Sequence, residues 1–274
     1  MLLAACSKAG FAQEDSTKQK EGNDTIRVGS IIIVNKGDHS YSESGSYHHY
    51  KKSYKSNITT NWLIFDIGYS GFDDKTDYSS AEAQSFLQNP QNGGPLYDGD
   101  FSIKGIGISN FSLWFFMQKL NVYKHVVNLK YGFGIENNNY YYKTPISYVD
   151  GGTVFVKRDT ILFSKNKLAA DYFTAPLMVN INATPEARNG GLQISFGVSG
   201  GFLYSARQKQ KSDERGKQKD KTDFNLERWK LAYIAELGLG PVKLFGSYAF
   251  TPLHKYGVEQ YPWNVGIRFS AGDW

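Results

Sequence analysis

The sequence predicts an all-β chain, an eight-stranded antiparallel up-and-down transmembrane β-barrel with short periplasmic turns and longer extracellular loops. Three observations predict it. Large apolar side chains alternate with period two through residues 57–274, the connections between those segments are short and long in turn, and the opposite face is small and polar. The 274 residues are 41% hydrophobic and 21% charged, enough to bury a core, so wholesale disorder is excluded. No run of 18 uncharged apolar residues occurs, which argues against a spanning helix. The net charge of +5, from 31 Lys+Arg against 26 Asp+Glu, is too mild to argue for nucleic acid. A single cysteine, Cys6, excludes an internal disulfide and a cysteine-based metal cage, and no cofactor is expected.

In chain order, residues 1–12 read as a remnant signal peptide. Gly10-Phe11-Ala12 suits cleavage after Ala12, while Leu3-Ala4-Ala5-Cys6 resembles a lipobox that would carry lipid on Cys6. An uncleaved accidental start is the third reading; the first two both export the chain. Residues 13–56 are expected to form a periplasmic extension: a polar tail over 14–24, a short strand over 25–34, and a linker over 36–56. His48-His49 lies in that linker, and neighbouring side chains of an extended chain point opposite ways, a poor chelate.

Residues 57–274 hold the barrel. Its strands are expected near 62–72, 108–120, 127–135, 173–181, 192–204, 229–237, 242–250 and 263–269. The second is irregular, because Leu113-Trp114-Phe115-Phe116-Met117 does not alternate, and a bulge is expected there. Short turns near 121–124, 184–190 and 240–241 fall at one end. Longer polar loops at 73–107, 144–167 and 208–223, with a shorter one at 254–261, fall at the other.

The apolar face is assigned to lipid, with Leu129, Phe133, Leu177, Val179, Phe196, Leu231, Leu244 and Ile267 on it. Tyr69, Phe72, Tyr140 to Tyr142, Tyr204, Trp229 and Trp263 are expected to form aromatic girdles near the strand ends. The opposite face carries Gly, Ser and Ala with charges of both signs. Asp66, Glu136 and Glu236 are set against Lys130, Arg207, Arg228, Lys230, Lys243 and Arg268, which could pair across a narrow lumen. A soluble, lipocalin-like barrel with the apolar face inside remains the alternative.

Several of these segments resemble the PorT-like outer-membrane β-barrel proteins of Gram-negative bacteria. Asn61-Trp62-Leu63-Ile64-Phe65-Asp66-Ile67-Gly68 is similar to their first strand, and Gln118 to His125 leading to Tyr131-Gly132-Phe133-Gly134-Ile135-Glu136 to a later turn and strand. Tyr172-Phe173-Thr174-Ala175-Pro176-Leu177, Gly200-Gly201-Phe202-Leu203 and Phe245-Gly246-Ser247-Tyr248 through Pro262 to Phe269 extend the likeness to residues 25–269. The resemblance implies an outer-membrane location and no shared catalytic set. Its implied partners are outer-membrane lipid, the barrel-assembly machinery during insertion and, for some members, secretion or envelope proteins. Trp263, Gly266 and Phe269 are close to the terminal signal that the assembly machinery reads, with different spacing.

An eight-stranded barrel is just filled by side chains, so the lumen charges are expected to form a packed polar core, with a narrow ion path as the alternative. Residues 208–223, rich in Lys and Arg, read as a solvated loop, with contact to lipopolysaccharide phosphates as the other reading. His254 is the rim histidine available to a lipid-modifying enzyme, but no Gly-x-Ser-x-Gly elbow accompanies it. Asp73, Asp74 and Asp77 suit turns better than calcium. The expected function is a non-enzymatic membrane scaffold or accessory component. A barrel binding a hydrophobic ligand and a rim-active lipid enzyme stand behind it.

Overall fold

The computed structural model describes residues 24–28, 31–35, 56–88, 95–105, 107–185, 191–240 and 242–270. The signal remnant, Cys6, the cut near Ala12, the polar tail before Asp24 and the His48-His49 linker lie outside them. The chain divides into two units, Met1–Ser53 and Tyr54–Trp274. In the first, β1 (Asp24–Val28) pairs antiparallel with β2 (Ile31–Asn35). The single strand expected over 25–34 is therefore a hairpin.

The second unit is built on one antiparallel sheet closed into a ring. In chain order its strands are β3 (Ile58–Asp74), β4 (Asn110–Tyr123), β5 (Val127–Tyr141), β8 (Lys165–Asn182), β9 (Leu192–Ser212), β10 (Gly216–Asp220), β11 (Trp229–Leu239), β12 (Val242–Ala249) and β13 (Gln260–Phe269). The count is nine, not the eight expected. The ninth, β10, pairs only with the far end of β9 and arises from residues assigned to a loop. Closure comes from β9, which pairs with β8 along one edge and with β11 and β10 along the other. The remaining elements, α1 (Ala81–Phe86) and the hairpin of β6 (Ile146–Asp150) with β7 (Val154–Arg158), sit in the long loops.

Three irregularities set which side chains face where. In β3, Leu63 has a left-handed φ of 53° and lies outward beside Trp62, so the alternation restarts at buried Ile64. In β4 the register slips between Trp114 and Phe116, within the segment whose alternation fails in the sequence. In β9 the pairing jumps: Asp171 lies opposite Ser205, but Tyr172 lies opposite Leu203. Tyr204 is the extra residue. Beyond it the inward positions become Ala206, Gln208, Gln210 and Ser212. The wall is otherwise tight. A Cβ on Gly197 would stand 2.1 Å from the Leu177 carbonyl oxygen, so only glycine lets β8 and β9 approach there.

The long loops are not merely polar. They fold back over one end of the ring, where Ala83, Phe86, Leu87, Phe101, Tyr148 and Phe224 pack with Tyr140, Tyr142 and Tyr172 in the largest apolar cluster. Phe72, Tyr140 and Tyr142, expected in the outer girdle, belong to this plug. Tyr140 on β5, and Tyr142 just past its end, keep the parity of Glu136 and Asn138, which face inward, and Phe72 of β3 meets the Tyr140 ring at 5.6 Å.

Candidate functional site

At the centre of the ring the alternation brings charged side chains from five strands together. Arg268 of β13 is 1% exposed and donates from Nε and Nη2 to the Asp66 carboxylate at 2.7 and 2.6 Å. Its Nη1 reaches Glu236, which also pairs with Lys130. Trp114 donates its indole N–H to Asp66 at 2.7 Å, and the Arg268 guanidinium lies 4.9 Å from the Trp114 ring. This fork geometry is the one that lets arginine hold two carboxylates without water.

A second group centres on Glu136. It pairs with Lys230 and accepts from Asn264 at 2.8 Å, Asn138 at 3.1 Å and Thr174 at 3.2 Å. Asn264 in turn accepts from Ser70 at 2.7 Å. The cavity left between these groups measures about 10 Å³, about the space one water molecule requires. Lys243 is buried in the same interior. Asp66, Lys130, Glu136, Lys230, Glu236, Lys243 and Arg268 thus all point into the ring, as their parity requires.

Arg228 does not join them. It precedes β11 and is exposed. Arg207 lies on the outer face, where it pairs with Asp171, because the bulge at Tyr204 has inverted the parity of β9 before Arg207 is reached. Phe133, Leu177, Val179, Phe196, Leu231, Leu244 and Ile267 are exposed on the outward face, and Leu129 is half-buried on it. Trp263 and Phe269 are also outward, with Gly266 between them packed against Gly68 of β3. Aromatic pairs ring that face towards the long-loop end: Phe173 on Tyr204 at 4.3 Å, Phe202 on Trp229 at 5.1 Å and Tyr69 beside Trp263 at 5.5 Å.

His254 is buried in the loop plug and is not a rim group. Its Nε2 lies 3.2 Å from the Tyr148 hydroxyl, which contacts the Tyr142 hydroxyl at 3.0 Å, and its Nδ1 has no hydrogen-bond partner. The Tyr148 ring stacks on it at 5.8 Å, and burial pushes its pKa down to about 3. The imidazole is thus held neutral among aromatic rings, with the Tyr148 hydroxyl as its polar neighbour. Asp74 accepts from Tyr78, Gln260 and the Thr76 N–H, and Asp77 from Ser79, so both organise the loop. Asp73 bridges Lys75 and Tyr248. Among the described residues no cluster of three or more His, Cys, Asp or Glu could hold a metal.

Compared with known proteins, the chain matches no protein-family model and no curated protein. Its residues alone carry the argument. Sequence reading missed the loop plug, whose members are single apolar residues scattered among turn formers; the isolated Phe86-Leu87 pair and Tyr148 were the available signal.

Proposed function

We propose that the chain is an integral outer-membrane β-barrel acting as a non-enzymatic scaffold or accessory component rather than as a channel. One observation carries this reading: a closed ring exposes Leu, Ile, Val, Phe and Trp outward while its charges neutralise one another inside. On β9 no outward residue from Leu192 to Tyr204 is charged, a stretch longer than the ~9–11 residues that cross hydrocarbon at a tilt. A soluble ligand-binding barrel needs the reverse arrangement and an apolar cavity, and the central cavity here is small and lined by ions. Lipid is then the surrounding partner and the barrel-assembly machinery the inserting one, with secretion or envelope proteins as the partners that the PorT-like resemblance implies. After a carbonate wash of native membranes the protein should stay in the pellet and migrate with heat-modifiable mobility. Release into the soluble fraction would overturn the membrane reading. In planar bilayers it should give no stepwise conductance, and porin-sized steps would overturn the filled lumen.

A further inference from the structure

The segment expected to be a loose basic loop is a continuation of the barrel wall. β8 and β9 are 18 and 21 residues long, more than crossing a membrane takes, and the surplus lies beyond the Tyr204 bulge. There the outward positions change from Phe173, Phe202 and Tyr204, through the Asp171–Arg207 pair, to lysine.

The register aligns these lysines in two rows. Lys165 of β8 lies opposite Lys211 of β9, which lies opposite Lys217 of β10. Lys167 lies opposite Lys209, which lies opposite Lys219. Strand spacing puts the three columns ~4.8 Å apart and the two rows ~7 Å apart. Like charges directly opposite repel, so this arrangement works against the sheet that carries it. Among the described residues none of the six makes an ion pair; Lys167 donates to Asn139, and Asp171 on the same face is held by Arg207. Lys165 and Lys167 lie over the Tyr141 ring at 5.8 and 5.3 Å. At the foot of the rows a groove of about 460 Å³ is lined by Phe202 and Tyr204 with Lys221 and Arg228, and by Asp223, whose carboxylate is paired with Lys255 at 3.2 Å.

We propose that this lysine grid and its groove dock the phosphorylated headgroups of lipid in the surrounding leaflet. The inference rests on the membrane-barrel reading. It follows from an array of ammonium groups without carboxylate partners, standing beyond the aromatic belt and the Asp171–Arg207 pair on the same face, towards the headgroup phosphates, with apolar rings below to receive the start of an acyl chain.

The test uses the full-length protein in phosphatidylcholine nanodiscs titrated with bis-phosphorylated lipid A. The variant Lys165→Gln/Lys167→Gln/Lys209→Gln/Lys211→Gln should lose about tenfold or more in affinity. A control carrying Lys75→Gln/Lys104→Gln/Lys143→Gln should stay within about twofold. Raising salt should remove the difference. Lys217→Gln/Lys219→Gln, confined to a strand outside the closed ring, gives an intermediate loss without risk to the wall. Equal binding of dephosphorylated lipid A, undiminished binding by the grid variants, or full competition by a soluble acidic polysaccharide would each overturn the proposal. Carbonate fractionation separates the two readings. A membrane-retained protein with an indifferent grid sinks this inference alone, whereas a protein released by the wash sinks both.

Discussion

Replacing Arg268 with methionine tests whether the ion network at the centre of the barrel is dry. The guanidinium is 1% exposed, satisfies Asp66 through two hydrogen bonds of 2.7 and 2.6 Å, and holds one oxygen of Glu236. After Arg268→Met, Asp66 keeps the Trp114 indole N–H but loses the guanidinium that forks onto it, and Glu236 keeps Lys130. The methionine itself is well received by Met117, Trp114 and Phe245, which already touch the arginine. The cost therefore comes from a carboxylate left without its cation, ~3–5 kcal/mol for a buried pair broken on one side. Urea unfolding from phospholipid vesicles, followed by tryptophan fluorescence, measures it. Adding Asp66→Asn removes the stranded charge, and the double variant should be more stable than the sum of the two single losses by ~0.5–3 kcal/mol. A single-variant loss below ~1 kcal/mol would refute the reasoning, since it is the value of a pair that water screens.

Three further outcomes follow. Leu177→Arg, at an outward position in the body of β8, should cost ~2–4 kcal/mol in the same vesicle assay, and a neutral result would mean that this wall meets water. Gly197→Ala should cost ~1–3 kcal/mol by forcing β8 away from β9. Gly200→Ala, whose Cβ would meet only Leu231 at 3.8 Å, should be tolerated, and equal losses would reject the packing argument. His254 makes the loop plug sensitive to acid. Its folded pKa of about 3 lies below the ordinary 6.5, so the unfolded plug takes up the proton first. Stability is complete above 6.5 and falls by ~1.4 kcal/mol per pH unit on the way down towards 3. Hydrogen-exchange protection of β6 and β7 should drop between pH 7 and pH 4.5, and His254→Phe should flatten that slope.

The wall of the barrel is legible in the sequence because one face of each strand repeats every second residue, and the mid-strand side chains assigned from that parity lie where it sends them. Parity carries no information past an inserted residue. Arg207 was assigned inward by counting from Leu192, and Tyr204 breaks the count before Arg207 is reached. The lysines beyond it read as a loop for a related reason: Gln208 to Ser212 and Lys217 to Lys219 alternate polar with charged, and a strand with no apolar face leaves no hydrophobic trace. The plug was hidden differently. Phe86, Tyr148 and His254 lie far apart in the chain and come together only because antiparallel topology delivers every long loop to the same end. No local pattern encodes that meeting.

One surplus residue thus gives a single ribbon two allegiances. Below Tyr204 the even side of β9 is oil and the odd side small and polar; above it the odd side is charge and the even side faces the plug. Removing that one codon would rephase the upper half, carrying Lys209 and Lys211 into the apolar plug and Gln208 and Gln210 out of it. The sheet's amphipathicity is in this sense a reading frame, and a shift of one position on the protein would be as disruptive as one on the message.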